Sequence, residues 1–379
     1  MSQDVVISGA GLWKPEHSIS NVELVDSYNA WAERYNAANA SAIEAGEREA
    51  KPISSVEFIE KASGIRSRYA YVKDGILDVE RMRPRIPARS EDALSHQAEI
   101  ALSAARPALA AAGKLNADGS ARDVDMVIVS CAYTERSYPA IAIEVQHELG
   151  IDGFGFDMLV ACSAATFALQ RAVDAIRAGS ARSVLVINPE LTSPQVNYTD
   201  RDSHFIFGDV GTAVVLERAD DARSTHCYRV LGSRARTVYS NNIRSNFGYV
   251  ARAEDADPFG PENLFHQNGR KVFKEVCPMA AEHLERQLAD VGLDIAEVRR
   301  WWLHQANLNM NQLIVRRLLG RDADPVEAPI VLDQFANTAS AGSIIAFCLH
   351  HEDLRSGDVG VICSFGAGYS IGSLVVRKL

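Results

Sequence analysis

The chain has 379 residues, of which 47% are hydrophobic and 23% are charged. This balance is ordinary for a folded globular protein, so it excludes disordered and fibrous chains. The formal net charge of −10 argues against general binding to nucleic acid or to an anionic membrane surface, and an anionic ligand would need a local basic patch. A chain of this length suits two fused α/β halves or one large domain.

The six cysteines lie far apart, without a C-x-x-C pair or a Cys/His cluster at metal-ligand spacing. We therefore expect free thiols, a reducing compartment and no bound metal. The N-terminus lacks the basic start and the apolar stretch of an export signal, and no apolar run is long enough to span a membrane. These features predict a cytoplasmic protein.

The N-terminal region predicts one strand, one helix and one irregular segment. A strand over residues 4–15 ends in glycines and a proline. Residues 22–50 carry apolar and aromatic side chains at three- and four-residue spacing, which predicts a helix packed on the core. Residues 71–89 are basic, interrupted by proline and without a period, which is typical of a surface excursion.

Helices and apolar strands alternate through the remaining chain. The predicted strands are 124–132, 153–161, 183–188, 211–217, 227–232, 299–304, 359–365 and 370–377. The predicted helices are 90–112, 141–149, 163–179, 269–291, 305–319 and 336–354, with a polar loop from 233 to 261. Continuous apolar strands between helices are typical of a buried sheet, so the fold class is α/β. The recurring order predicts two similar halves that join near residue 218.

Cys162 lies where the strand 153–161 meets the alanine-rich helix 163–179. The free N–H groups and the positive dipole end of a helix favour an anion, so we expect this thiol to tend toward the reactive thiolate. Cysteine is also commonly a small, buried and inert residue. Position alone leaves both interpretations open.

His304 and Asn337 are the other candidate catalytic side chains. His304 closes the strand 299–304 at the edge where open α/β sheets bind ligands, although a lone histidine is more often structural. Asn337 precedes a helix rich in small residues, where asparagine is a favoured N-cap. The small neighbours at 338–342 would also let a ligand or another backbone come close.

A glycine-rich turn completes the set. Residues 364–373, SFGAGYSIGS, place glycines on both sides of Ala367 between two strands. A plain hairpin turn accounts for this pattern. The functional alternative is an oxyanion hole formed by the backbone N–H groups of Ala367 and Cys162.

These blocks resemble the active-site blocks of the β-ketoacyl-acyl-carrier-protein synthase III family, which has the thiolase fold. The matching segments are VACSAATFALQ, HFIFGDVGTAVVLE, LHQANLNMNQLIVRRL, FANTASAGS and SFGAGYSIGSLVVRKL. They occur in the family's order across nearly the whole chain, with extra length at 26–54 and 71–89. The resemblance implies a five-layered αβαβα arrangement, in which residues 1–218 carry the cysteine and residues 219–379 carry the histidine and the asparagine.

The resemblance also implies a mechanism. Cys162 would attack the thioester of an acyl-CoA primer, and the acyl-cysteine would then condense with malonyl-acyl carrier protein as carbon dioxide leaves. His304 and Asn337 would donate hydrogen bonds to the enolate, while the backbone N–H groups of Cys162 and Ala367 would hold the tetrahedral intermediates. The family usually has glycine where Ala367 stands. No cofactor is implied beyond the CoA thioester, which is a substrate.

The residues expected to contact the substrate match the family less closely than the catalytic residues do. Arg201 matches an arginine that contacts CoA, whereas Phe58 replaces a tryptophan that stacks on adenine, and Ala62 replaces an arginine, with Lys61 adjacent. Phe58 can still stack, with a smaller face. Tyr138 matches an aromatic residue that crosses a dimer interface to line the partner's acyl channel, which implies a homodimer. The inserted segments near the substrate entrance favour a medium-chain primer over acetyl.

Three alternatives stay open on the sequence. A papain-type cysteine hydrolase uses cysteine, histidine and asparagine in the same chain order, but its C-G-S-C-W signature is missing and the α/β alternation does not fit it. Within the thiolase fold, an acyltransferase or an acyl-acyl condensing enzyme would not use a malonyl-carrier extender. Glu135 could be the general base of such a variant, although a solvated loop carboxylate is the simpler interpretation. A non-catalytic partner subunit is disfavoured because Cys162, His304 and Asn337 are all present.

Overall fold

The computed structural model describes residues 4–248, 257 and 260–379. Within these residues the strands are β1 (Val5–Trp13), β2 (His17–Ser20), β3 (Ser67–Ala70), β4 (Met126–Cys131), β5 (Phe154–Leu159), β6 (Ser183–Glu190), β7 (Val210–Arg218), β8 (Tyr228–Ser240), β9 (Ile243–Arg244), β10 (His266–Gln267), β11 (Val298–Leu303), β12 (Val359–Gly366) and β13 (Gly368–Lys378). The helices are α1 (Asn21–Ala38), α2 (Ala40–Glu44), α3 (Val56–Ser63), α4 (His96–Ala111), α5 (Ile141–Glu148), α6 (Ala164–Ala178), α7 (Gly269–Asp290), α8 (Leu308–Leu319), α9 (Leu332–Phe335) and α10 (Gly342–Leu349).

The main sheet of the described chain has the strand order β11-β12-β13-β8-β1-β7-β6-β4-β5. β4 runs parallel to β5 and β6, and β11 runs parallel to β12, whereas the other pairs are antiparallel. The two parts of the sheet meet through a short pairing of β1 with β8, at Val6 and Ile7. The division of the chain into halves near residue 218 stays a prediction.

Three buried clusters separate five layers. The first cluster packs α4 and α5 against one face of β4, β6 and β7. The second places α6 and α10 between the other face of those strands and the strands β8, β11, β12 and β13. The third packs α7 and α8 on the outer face of β11–β13. Since β4 and β6 are covered on both faces, their side chains form the continuous apolar runs seen in the sequence.

Several predicted elements differ from the structure. The helix predicted over 22–50 breaks into α1 and α2, although Leu24 and Tyr28 on its apolar face are buried as expected. β8 continues to Ser240 instead of ending at residue 232, because it pairs with β13 along most of its length. The polar loop predicted over 233–261 is therefore wrong at its start, and residues 249–256, 258 and 259 lie outside the described residues.

The segment predicted as a surface excursion, 71–89, is irregular but is not wholly superficial. Ile76 and Met82 from this segment are buried against the α1 region. Arg89 lies beside Glu99 of α4 and donates to it, which anchors the end of the segment. No helix among the described residues has the length and apolar character that crossing a bilayer requires.

Candidate active site

Cys162, His304 and Asn337 line one cavity of about 720 Å³. They arrive from three distant parts of the chain, at the ends of β5 and β11 and from the segment before α10. The rest of the wall is largely apolar and includes Ile65, Phe205, Phe207, Val272, Val276 and Phe365. The structure therefore brings the three predicted catalytic side chains together, while their chemical roles stay predictions.

A single 3₁₀ turn carries the cysteine. This turn, Ala161–Ser163, separates β5 from α6, so the strand does not pass directly into the helix as the sequence predicted. Ala161 has a φ of 45°, a left-handed conformation that is uncommon for a residue with a side chain. The hydroxyl of Ser163 donates to the carbonyl of Ser370 at 2.9 Å and fastens the turn to β13. The position of Cys162 is thus held by a strained and anchored backbone.

The resting thiol is not a thiolate, contrary to the expectation from the helix end. Burial raises the pKa of Cys162 to about 12, and the negative charge of Glu190 acts in the same direction. The backbone N–H groups of Ala367 and of Cys162 itself lower the pKa, but by less. The thiol is therefore protonated near neutral pH. Dehydration of the sulfur outweighs the local dipoles here because the negative form loses its solvation.

The same two N–H groups are those predicted to hold an oxyanion, and that role stays a prediction. Both act on the sulfur of Cys162, so both face the point where an acyl group would be attached. Ala367 does not have a positive φ, so its methyl group causes no backbone strain in the turn between β12 and β13. A methyl group at the neighbouring Gly366, by contrast, would overlap the Cβ atom of Cys162. Glycine at 366 therefore lets the donor turn approach the thiol.

His304 follows β11 and is buried. Its backbone N–H donates to the carbonyl of Cys363 at 2.8 Å, and its ring packs edge-on against Phe365 at 5.3 Å between centroids. The Nδ1 atom is enclosed and has no hydrogen-bond partner among the described residues, which leaves Nε2 as the nitrogen available to a ligand. Burial lowers the pKa of His304 to about 3, so the imidazole is neutral at physiological pH. α8 begins only at Leu308, capped by Asn307, and not at residue 305.

Asn337 lies outside the helix that the sequence predicted over 336–354, because α10 starts at Gly342. Its backbone N–H donates to the carbonyl of Ile206 at 2.9 Å, and its backbone carbonyl accepts the N–H of Gly208 at 3.1 Å. Its Oδ1 atom accepts the N–H of Ala339 at 3.0 Å. The side chain therefore does not cap α10. Since the oxygen is engaged, the amide nitrogen is the atom left to donate into the cavity.

The two predicted CoA contacts lie against each other. The guanidinium of Arg201 stands over the ring of Phe58, 3.6 Å from its centroid. Its Nε atom donates to the carbonyl of Ile53 at 2.7 Å. Phe58 and Ala62 line the cavity. One face of the phenyl ring is thus covered by the arginine, which the sequence could not indicate.

Tyr138 and Glu135 lie away from this cavity. Tyr138 is 84% exposed on the loop before α5. Glu135 accepts the backbone N–H groups of His96 at 3.1 Å and of Gln97 at 2.9 Å, so its carboxylate caps the first turn of α4. The interpretation of Glu135 as a solvated loop carboxylate is therefore wrong, and its geometry is that of a structural cap.

Glu190 was missed by the sequence reasoning. It ends β6, is fully buried and accepts the N–H groups of Ala132 and Ser340, each at 3.1 Å, as well as the hydroxyl of Ser340. Burial raises the pKa of this carboxyl to about 7. The sequence did contain a signal for this residue. A glutamate directly follows the apolar run SVLVINP of a buried strand, and an unpaired charge is unusual at such a position.

The sequence comparisons agree in one family. The profile of 3-Oxoacyl-[acyl-carrier-protein (ACP)] synthase III matches residues 156–235, and the profile of its C-terminal part matches residues 288–378. The Beta-ketodecanoyl-[acyl-carrier-protein] synthase of Pseudomonas aeruginosa is 54% identical over 354 residues, which cover 93% of this chain and 100% of that protein. The Beta-ketoacyl-[acyl-carrier-protein] synthase III of Rhodospirillum centenum is 31% identical over 331 residues, covering 86% of this chain and 91% of that protein.

Solved structures share the fold. The crystal structure of the 3-oxoacyl-(acyl carrier protein) synthase III of Pseudomonas aeruginosa has a TM-score of 0.74 with this chain at 22% identity, covering 99% of this chain and 98% of that chain. The predicted thiolase fold is confirmed, and the papain-type alternative is wrong. The chain belongs to the β-ketoacyl-acyl-carrier-protein synthase III family, the acyltransferase-class condensing enzymes of fatty-acid biosynthesis.

Proposed function

We propose that this enzyme joins an acyl-CoA primer to malonyl-acyl carrier protein by a decarboxylative Claisen condensation, with Cys162 carrying the acyl group. One observation supports the assignment above all. A thiol, two backbone donors aimed at it, a neutral imidazole and a carboxamide share one largely apolar cavity. A thiol exchanges thioesters, and neutral donors stabilise an enolate oxygen without bringing a full charge into a dry site.

The first half-reaction forms the acyl-cysteine. The sulfur of Cys162 attacks the thioester carbonyl, whose oxygen becomes an oxyanion held by the N–H groups of Cys162 and Ala367. The bond to the CoA sulfur then breaks, and the proton of the Cys162 thiol ends on the departing CoA thiol. One thioester replaces another, so the enzyme has to lower the barrier and supplies little driving force.

The second half-reaction forms the new carbon–carbon bond. The malonyl thioester releases carbon dioxide, and the electrons of the broken bond form an enolate whose oxygen accepts from His304 and Asn337. The enolate carbon attacks the acyl carbonyl on Cys162. The sulfur leaves as a thiolate and takes up a proton, while the β-ketoacyl chain stays on the carrier. Burial supports this role for His304, because it keeps the imidazole neutral.

The primer that we propose is a medium-chain acyl-CoA. The relative from Pseudomonas aeruginosa bears a name that states a β-ketodecanoyl product. An enzyme that makes that product by adding two carbons starts from an octanoyl chain. The apolar cavity wall of this chain suits such a primer better than acetyl, since each buried methylene contributes about 0.8 kcal/mol. We assign the nucleotide end of CoA to the stacked pair of Arg201 and Phe58.

We further propose that two copies pair through the β5 edge of the sheet. β5 has no second neighbour among the described strands, and its apolar side chains Phe154, Phe156 and Leu159 are exposed. The exposed Tyr138 lies on the loop that leads to the adjacent α5. An open strand edge with apolar side chains pairs readily with a second copy, which would cover this surface. Tyr138 would then reach the acyl channel of the partner.

The proposal is tested by incubating the protein with acyl-CoAs of graded length and weighing the intact chain by mass spectrometry. We expect one acyl adduct that maps to Cys162, formed fastest with octanoyl-CoA. Adding malonyl-acyl carrier protein should discharge the adduct and release carbon dioxide. Malonyl-CoA in its place distinguishes a CoA-bound extender, and a second acyl-CoA distinguishes an acyl-acyl condensing enzyme. Absence of any adduct would contradict the proposed function.

Two variants test the donor pair separately from the nucleophile. His304→Ala and Asn337→Ala should keep self-acylation within about threefold but lose decarboxylation by about 100-fold or more, because removing one oxyanion donor typically costs about 3 kcal/mol of barrier. Cys162→Ser is the matched control, since it should lose the acyl adduct. Normal condensation by both donor variants would show that the roles are wrongly assigned.

A further inference from the structure

Glu190 is a buried carboxyl for which the proposed reaction has no use. It lies at the end of β6, and no cation pairs with it in the part of the chain that the structure describes. Four acidic groups among the described residues interact unfavourably with its charge, namely Cys131, Tyr133, Cys162 and Asp209. Such surroundings make the charged form costly. A group retained at that cost needs a function that an apolar side chain could not supply.

The hydrogen bonds of Glu190 indicate this function. One oxygen accepts both the backbone N–H and the hydroxyl of Ser340, and the other accepts the N–H of Ala132 just beyond β4. Ser340 is the centre of the 3₁₀ turn Ala339–Ala341. This turn packs against both β6 and the turn that carries Cys162. The carboxylate therefore joins β4 and β6 to the segment between Asn337 and α10.

That segment is strained. Ala336 and Ala339 have φ angles of 57° and 47°, left-handed values that disfavour a side chain. Asn337 lies between them, and its Oδ1 atom accepts the N–H of Ala339. A backbone in such a conformation persists only where its surroundings hold it. Glu190 holds this strained backbone through its hydrogen bonds to Ser340, the residue directly after Ala339.

We propose that Glu190 is a positioning residue, which fixes the strained turn Ala339–Ala341 through Ser340 and thereby aims the Asn337 amide at the enolate. The inference rests on the role proposed above for Asn337. Glu190 also has a separate electrostatic effect, because its negative charge acts on the thiol of Cys162. The two effects respond differently to side-chain length and to charge, so they can be measured apart.

Two substitutions of Glu190 separate its positioning effect from its electrostatic effect. Glu190→Gln keeps the length but removes the charge and places an amide donor against one N–H group. Glu190→Asp keeps the charge but shortens the reach. Both should slow decarboxylation of malonyl-acyl carrier protein on the order of tenfold, while neither should slow self-acylation of Cys162 by more than about twofold. Ser340→Ala, which removes one donor from the same network, should slow decarboxylation to a smaller extent.

The pH dependence of Cys162 alkylation by iodoacetamide provides a readout that a loss of packing would not change. The pKa of Glu190 lies at about 7, so the carboxyl is charged above neutral pH and mainly protonated below it. Glu190→Gln should therefore be alkylated faster than the wild type above neutral pH and equally fast near pH 5.5. Glu190→Asp, which keeps the charge, should show the same pH dependence of Cys162 alkylation as the wild type. Equal profiles for all three proteins would overturn the electrostatic part.

The double variant Glu190→Gln/Asn337→Ala decides whether Glu190 acts through Asn337. We expect Glu190→Gln to cause no further loss of decarboxylation once Asn337 is replaced, because the two residues then act as one unit. Full additivity, or normal decarboxylation by Glu190→Gln and Ser340→Ala, would overturn the inference. If Asn337→Ala itself decarboxylates normally, the proposed function fails instead. Circular dichroism identifies any variant that does not fold. If a Glu190 variant fails to fold, the decarboxylation rate of Ser340→Ala still tests the inference.

Discussion

Cys162 is subject to opposing influences from its surroundings. Burial and the charge of Glu190 raise its pKa, while two backbone N–H groups lower it, and the pKa settles at about 12. The resting thiol is thus protected from oxidation and alkylation, because the thiolate is the reactive form. The same N–H groups become most effective when an acyl oxyanion forms beside the sulfur, which is when the reaction needs them.

This balance predicts the reactivity of Cys162 toward iodoacetamide. Because the pKa of Cys162 is raised, the thiolate fraction should keep growing with pH, so the alkylation rate should climb through pH 9 without a plateau. The measurement is peptide mapping by mass spectrometry at pH values from 6 to about 9.5, with Cys162→Ser to identify the peptide. A plateau near neutral pH would mean that the pKa is lowered and that the thiolate predicted from the helix end is present after all.

At the scale of elements, the contact between β1 and α4 depends on glycine. A methyl group at Gly9 or Gly11 would overlap the backbone carbonyls of Ala108 or Ala104. Strand and helix therefore touch at backbone distance, and the small residues of α4 complete the fit. Since β1 also pairs with β7 and β8, this contact fixes the helix layer relative to both parts of the sheet.

Gly11→Ala should destabilise the protein, because strand and helix would have to separate to admit the methyl group. We expect a loss of about 2–3 kcal/mol in the free energy of unfolding, measured by urea denaturation. Gly248→Ala is the matched control, because Gly248 has no positive φ and no atom of the described residues lies within 4 Å of an added methyl group. Its effect should stay within about 0.5 kcal/mol. A similar stability of Gly11→Ala and the wild type would show that strand and helix do not touch at backbone distance.

At the scale of the whole molecule, the long sheet ends on an apolar edge. Phe154 is 48% exposed and Leu159 is 54% exposed on β5, next to the strand end that carries Cys162. α5 packs on the face of β5 that carries Gly155 and Asp157, where Asp157 accepts the N–H groups of Ile141 and Ala142. Pairing of two copies at this edge would shield the apolar side chains and stiffen the base of both active sites.

Phe156→Arg should therefore weaken the proposed dimer, since it places a charge on the surface that a second copy would cover. Light scattering after gel filtration should give about twice the chain mass of 41.3 kDa for the wild type and the single mass for the variant. Val326→Arg, at an apolar residue that is 51% exposed and far from β5 in sequence, serves as the control and should remain dimeric. A monomeric wild type at micromolar concentration would disprove the proposal.

The sequence by itself predicted the strands of the main sheet and the helices between them, whereas β2, α3 and β3 were not predicted. The resemblance of its motifs to one family pointed to the three side chains that meet in the cavity. Helix and strand periodicity depends on near neighbours, and residues at the ends of strands that share a sheet edge lie close together. Their places at strand ends made Cys162 and His304 candidates, and the family resemblance then singled them out. Boundaries were less certain at Ala161, Ala336 and Ala339, because left-handed backbone at an alanine leaves no signal in the sequence.

Only the tertiary structure decided how those side chains behave. The pKa of Cys162 and that of His304 depend on burial by distant residues, which no local pattern contains. Asn337 is oriented by Ile206 and Gly208, and Glu190 finds its partners just beyond β4 and near α10. Solvation and hydrogen bonding at these sites are set by segments that are distant in the chain, so they arise only when the chain has folded.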